Sequence, residues 1–154
     1  LDVNIVALTY LSKRVLPWLR SNGRGHVMNL ASVAAFQPGP LMAVYYASKA
    51  YVLSLSEALH NEYGGSGVTV TAVCPGPTET GFQRASGVPS GRRPGGPQLL
   101  SAREVALQAY RAARGGRRVV VPGMANRIAA FLGRHMPSGY TAQFVRRIQE
   151  SRLP

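Results

Sequence analysis

The chain has 154 residues, 45% of them hydrophobic and 16% charged, with one cysteine and a formal net charge of +12. That length suits one domain with a sizeable core, and the composition excludes a disordered chain, a membrane-spanning bundle and a disulfide scaffold. The charge is uneven: from Arg84 onward thirteen arginines stand against Glu104 and Glu150 only, and the residues before it are nearly neutral.

In chain order, "NIVALTYLSKRVLPWLRSN" repeats Ile5, Leu8, Leu11, Val15, Leu16 and Leu19 at helical spacing, and Gly23 and Gly25 end the predicted helix. "HVMNLAS" is a short β-compatible run that leads into a loop, "FQPGP". "MAVYYASKAYVLSLSEAL" opens a long helix expected over residues 42–63 and stopped by "GGSG". "VTVTAVCPG" alternates β-branched and apolar residues and predicts a buried strand that holds Cys74 as a structural thiol. Residues 84–100, rich in glycine and proline, read as a flexible surface loop. Ser101 and Glu104 form a capping box ahead of "AREVALQAYRAAR", and "RRVVVPG" predicts another short strand. "MANRIAAFLGRHM" predicts a last helix, and residues 124–154 together make a basic helical tail.

Helices alternating with strands predict parallel pairing through right-handed crossovers, hence a single layered α/β domain over 1–154. Ligands of such sheets gather at the carboxyl ends of the strands. Two strand ends here, "NLAS" and "CPGPTET", carry polar or glycine-rich chemistry and are expected side by side, with the helix of Tyr45 and Lys49 starting next to them.

Lys49 is one of only two lysines in a chain that otherwise writes its positive charge as arginine, and it lies one helical turn after Tyr45 on the same face. A phenol, with an ordinary pKa near 10, is a poor base at neutral pH; a nearby ammonium favours the phenolate. A tyrosine so supported can exchange a proton with an alcohol or carbonyl oxygen, and Ser32 can hydrogen-bond that oxygen. Taken alone, Tyr-x-x-x-Lys also fits a core aromatic beside a snorkelling lysine. Ser32 and the "CPGPTET" strand end tip the balance toward a site. Ser32 has no obvious His or acid partner for hydrolysis, and His26, His60 and His135 read as surface or packing residues. No metal site is expected.

With "LDVN" 28 residues before Ser32, "NLAS", thirteen residues from Ser32 to the Tyr45 of "YYASK", and "CPGPTET" in order, the chain resembles the short-chain dehydrogenase/reductase family. The resemblance runs over residues 1–82 and more loosely to 123. It implies a Rossmann-like, doubly wound parallel sheet in three α/β/α layers, present as its C-terminal part, and an NAD(P)-dependent oxidoreductase acting on a small alcohol or carbonyl. By that resemblance Tyr45 is the general acid/base, and Lys49 holds the nicotinamide ribose and supports the phenolate. Ser32 orients the substrate oxygen, and Asn4 helps hold a water of the proton relay. Pro75, Gly76, Thr78 and Thr80 flank the nicotinamide, while Tyr46, out of register with Lys49, lines the pocket. The family's glycine-rich phosphate loop and the residue that separates NAD from NADP are absent from these 154 residues, which are therefore expected to be inactive alone. Between the two cofactors, NADP is favoured.

The resemblance also implies a homodimer or homotetramer on the first and second helices, whose apolar residues cover more of their circumference than one sheet face can. The cysteine usage makes the cytosol the default compartment. Nucleic acid is not an expected partner, since no aromatic-rich basic strand or recognition helix is present. Two alternatives stand beside the enzyme reading: a member that has lost catalysis, and a protein whose basic tail docks on an acidic membrane. For "ANRIAAFLGRH", the plainer expectation is a helix packed on the domain with a solvated basic face.

Overall fold

A computed structural model describes residues 1–79 and 99–151. Thr80, most of the loop expected at 84–100 and the tail residues 152–154 lie outside that range. A π-helical stretch, Asp2–Ala7, runs directly into helix α1, Leu8–Ser21. Strand β1, Gly25–Leu30, leads through a 3-10 turn, Val33–Phe36, to helix α2, Ala43–Glu62. Strand β2, Val68–Val73, follows, then the two-residue strands β3, Thr78–Glu79, and β4, Leu100–Ser101. Helix α3, Ala102–Arg114, strand β5, Val119–Val120, and helices α4, Met124–His135, and α5, Ser138–Glu150, complete the described chain.

β1, β2 and β5 form a parallel sheet in the order β1–β2–β5, with Leu30 opposite Val73 and Val73 opposite Val120. The sequence expectation of parallel strands joined by helices therefore holds. β2 is buried along both faces because its pleat sends alternate side chains to different layers. Val68 and Val70 meet Leu16, Leu19 and Leu59 of α1 and α2, and Ala72 and Cys74 meet Val52 and Leu53. On the other face Val73 and Val120 meet Ala109 and Ala112 of α3. Helices thus cover both sides of β2. Among the described residues β1 is covered unequally: Asn29 is buried under α2, its amide donating to Ser56 Oγ at 2.9 Å, whereas Met28 and Leu30 are 49% and 60% exposed.

The capping box at α3 forms as expected. Ser101 Oγ accepts from the Glu104 backbone N–H at 3.2 Å, and the Glu104 carboxylate accepts from the Ser101 N–H at 2.8 Å. The basic tail is helical as expected, but it is two helices rather than one last helix: after Met136 a second, α5, follows with Thr141 and Val145 buried. One reading of α4 needs correction. α4, expected to pack its apolar stripe on the domain, does the reverse: small Ala130 and Gly133 are its buried residues, and Ile128, Phe131 and Leu132 are exposed. Gly133 permits this because its bare Cα sits against the Gln37 side chain and the Phe36 carbonyl. A larger residue there would push the helix away.

Candidate active site at the carboxyl ends of β1 and β2

The parallel ladder continues past the strand ends and ties them together. The Ala31 N–H donates to the Val73 carbonyl at 2.8 Å, and the Val33 N–H to the Pro75 carbonyl at 3.0 Å. The "NLAS" and "CPG" ends therefore lie side by side, as expected. Ser32 is buried between them in extended conformation, and its Oγ accepts from the Ala34 N–H at 3.1 Å, capping the 3-10 turn. A hydroxyl used as an acceptor by the backbone keeps its own proton to donate.

Tyr45 and Lys49 stand one turn apart near the start of α2, both half-buried. The Lys49 ammonium lies 5.9 Å from the centroid of the Tyr45 ring and donates to the Leu30 carbonyl at 2.9 Å, at the last residue of β1. Burial pulls the Lys49 pKa below the usual lysine range. The contact with Leu30 brings the charge to the strand end that carries Ser32. The Tyr46 ring meets that of Tyr45 edge-on at 6.0 Å and packs against Gly39, where a Cβ would collide with it. Its hydroxyl accepts a long bond, 3.4 Å, from Gln149 of α5.

Asn4 belongs to the π-helical stretch and donates to Ser48 Oγ at 3.1 Å, and Ser48 Oγ donates in turn to the Tyr45 carbonyl at 2.8 Å. Ser48 thus links the asparagine to the turn of α2 that presents Tyr45. It was not singled out from the sequence, where it is one of three serines of α2, although its place three residues after Tyr45 was a usable signal. A second link of the same kind joins Thr9 Oγ1 and the Tyr51 hydroxyl, 2.6 Å apart.

Pro75 and Gly76 follow β2, and Thr78 Oγ1 donates to the Gly76 carbonyl at 2.9 Å. Gly76 faces Asn126 of α4 so closely that a Cβ would run into its amide. Asn126 is held by its own bond to the Pro122 carbonyl at 2.7 Å. The chain after β5 therefore packs on the same strand end, a contact the sequence did not announce. Beneath the site Cys74 is fully buried, and burial pushes its thiol pKa up to about 12, opposed by a bond from the Ser32 backbone. The three histidines bond elsewhere: His26 with Thr69 Oγ1, His60 with the Val70 carbonyl and His135 with the Phe131 carbonyl.

Comparison with known proteins gives a consistent result. A family model described as short chain dehydrogenase matches residues 1–88. An uncharacterised oxidoreductase of Staphylococcus epidermidis is 39% identical over 80 residues, which are 52% of this chain and 35% of that protein. A 2-dehydro-3-deoxy-L-rhamnonate dehydrogenase (NAD(+)) of a Sphingomonas species is 38% identical over 80 residues, covering 52% of this chain and 32% of that protein. Among solved structures, a short chain dehydrogenase from Burkholderia cenocepacia in complex with NADP superposes with a TM-score of 0.70 at 26% identity. The match takes in 99% of this chain and 59% of that one. The matched 80 residues thus span about a third of the length of those curated relatives.

Proposed function

The chain belongs to the short chain dehydrogenase family, and from that premise we propose that it contributes the reacting residues of an NAD(P)-dependent oxidoreductase. The reaction interconverts a small alcohol and a carbonyl. The observation that carries this reading is the Lys49 ammonium, held on the β1 carbonyl end and 5.9 Å from the Tyr45 ring, next to the strand end of Ser32.

The donor set suits the nicotinamide-ribose end of such a cofactor. Lys49 gives one N–H to Leu30 and has two more for ribose hydroxyls, and the Pro75–Thr78 turn offers backbone groups. A bound nicotinamide cofactor supplies or takes up the hydride. The pyrophosphate end needs a glycine-rich strand-to-helix turn, and no Gly-x-Gly-x-x-Gly occurs in these 154 residues. Following the Burkholderia structure, NADP is the first cofactor to try.

In carbonyl reduction, Ser32 donates a hydrogen bond to the substrate oxygen and fixes its position. The Tyr45 phenol gives that oxygen a proton, and Lys49 stabilises the phenolate left behind. In alcohol oxidation the same phenolate takes the proton back. Asn4 and Ser48 hold the first turns of α2, and with it the phenol, at a set distance from Ser32; Asn4 also helps hold the water through which Tyr45 regains its proton. An ammonium serves better than a guanidinium because a compact charge reaches both phenol and ribose.

The test is Tyr45→Phe in the active full-length protein. Removing only the phenolic oxygen should lower kcat by about two to four orders of magnitude while cofactor binding and the circular dichroism spectrum stay unchanged. Tyr46→Phe should do far less. Equal losses from the two changes would overturn the assignment.

A further inference from the structure

The outward faces of α4 and α5 are each apolar where a packed helix would be polar, and each carries exposed arginine. Met124, Ile128 and Phe131 recur at spacings of four and three, so they form one stripe, and they are 68%, 56% and 61% exposed. His135 extends the stripe, its ring 4.3 Å from that of Phe131. The helix rests on the domain through Asn126, Ala130 and Gly133, which lie on its opposite side. Arg127 and Arg134, seven residues apart and exposed, run along one flank, and Arg127 is tethered by a bond from its Nε to the Val121 carbonyl at 3.1 Å. α5 repeats the pattern: Tyr140, Phe144 and Arg147 are exposed while Thr141 and Val145 are buried.

We infer that this α4–α5 face is a docking surface for an anionic lipid bilayer, on which the helices lie in the plane of the membrane. The charge decides between occupants. α4 and α5 carry Arg127, Arg134, Arg146 and Arg147 against Glu150 alone. A second copy apposed on the same face would bring like charges together, and a nucleic acid would leave the apolar stripe without a partner. An anionic bilayer uses both halves of the pattern: the stripe enters the acyl boundary, and the arginines stay among the phosphates. No helix among the described residues is long and apolar enough to cross a membrane, which leaves the in-plane arrangement.

The experiment is co-sedimentation of the whole chain with vesicles of phosphatidylcholine alone and with equal parts of phosphatidylcholine and phosphatidylglycerol. Binding is expected to the anionic vesicles only and to weaken as salt rises. The exposed pair Arg127→Gln and Arg134→Gln should weaken it about thirtyfold, from roughly a factor of five per arginine near the surface. Ile128→Ser with Phe131→Ser should weaken it at least as far, with the circular dichroism spectrum unchanged because both side chains lie on the surface. Phe131→Trp in a Trp18→Phe background should shift its emission to the blue and be quenched by brominated acyl chains. Equal binding to neutral vesicles, no binding, or indifference to the Ser pair would overturn the inference. Equally tight binding to soluble polyglutamate would also overturn it, in favour of an acidic protein partner.

Discussion

Cys74 and Ser48 are the two residues whose surroundings say most about how the site is held. Cys74 is buried under Ser32 with its thiol pKa pushed up to about 12. In the unfolded chain a cysteine titrates near 8.5. A thiol bound more tightly to its proton in the folded state contributes stability that is complete below about pH 8.5 and is lost as pH rises toward about 12. Urea unfolding between pH 8.5 and 10.5 should therefore show stability falling by up to about 1.4 kcal/mol per pH unit from this group. Cys74→Ala should remove that part of the slope, whatever its effect on the absolute stability, and an unchanged slope would show that the thiol is not the source. Cys74 was legible from its apolar run as a structural thiol. Ser48 was not, because its importance comes from two partners, Asn4 and the Tyr45 carbonyl, that meet only when the π-helical stretch lies along α2.

At the scale of elements, α1 and α2 were readable from periodicity and their ends from glycines, and Ser101–Glu104 marked the start of α3 without error. The periodicity also carried a surplus of apolar residues. Tyr10, Leu11, Val15 and Trp18 of α1 are exposed, and the outward face of α2 is a row of Val44, Ala47, Ala50, Ser54 and Ala58. Small residues let helices approach closely, and large apolar ones gain from leaving water. We expect a homodimer or homotetramer built on these two helices about a two-fold axis. Light scattering at micromolar concentration should report more than a monomer. Ala50→Arg, which points into solvent in the single chain, should dissociate the assembly without unfolding it; a full-length protein that is monomeric at micromolar concentration would refute the proposal.

At the scale of the whole molecule, the described sheet runs β1–β2–β5, Met28 and Leu30 leave one side of β1 partly exposed, and the proposed reacting residues collect at the carboxyl ends of β1 and β2. Dinucleotide affinity in a Rossmann-like fold depends heavily on a pyrophosphate resting on a helix N-terminus behind a glycine-rich turn. The proposed contacts are those of Lys49 and the Pro75–Thr78 turn, and no Gly-x-Gly-x-x-Gly occurs in the 154 residues. Titrated alone with NADH and NADPH, they should show no saturable fluorescence change and no dehydrogenase activity. Tight, saturable binding would mean that Lys49 and the Pro75–Thr78 turn suffice to hold the cofactor.

What the amino-acid sequence determined by itself was local or periodic. The alternation of β2, the helical repeats of α1 and α2, the capping box and the spacing of Ser32, Tyr45 and Lys49 are each set by neighbours within a few turns of chain, so they survive being read in one dimension. The tertiary structure decided which side of an amphipathic helix faces inward and which distant groups touch. α4 turned its small residues, Ala130 and Gly133, to the domain, with Gly133 seated against Gln37 and Phe36, although hydropathy favoured burying Ile128 and Phe131. Asn126 met Gly76, and Gln149 met Tyr46, across separations of 50 and 103 residues. Such contacts depend on shape complementarity between surfaces that exist only after the sheet has formed.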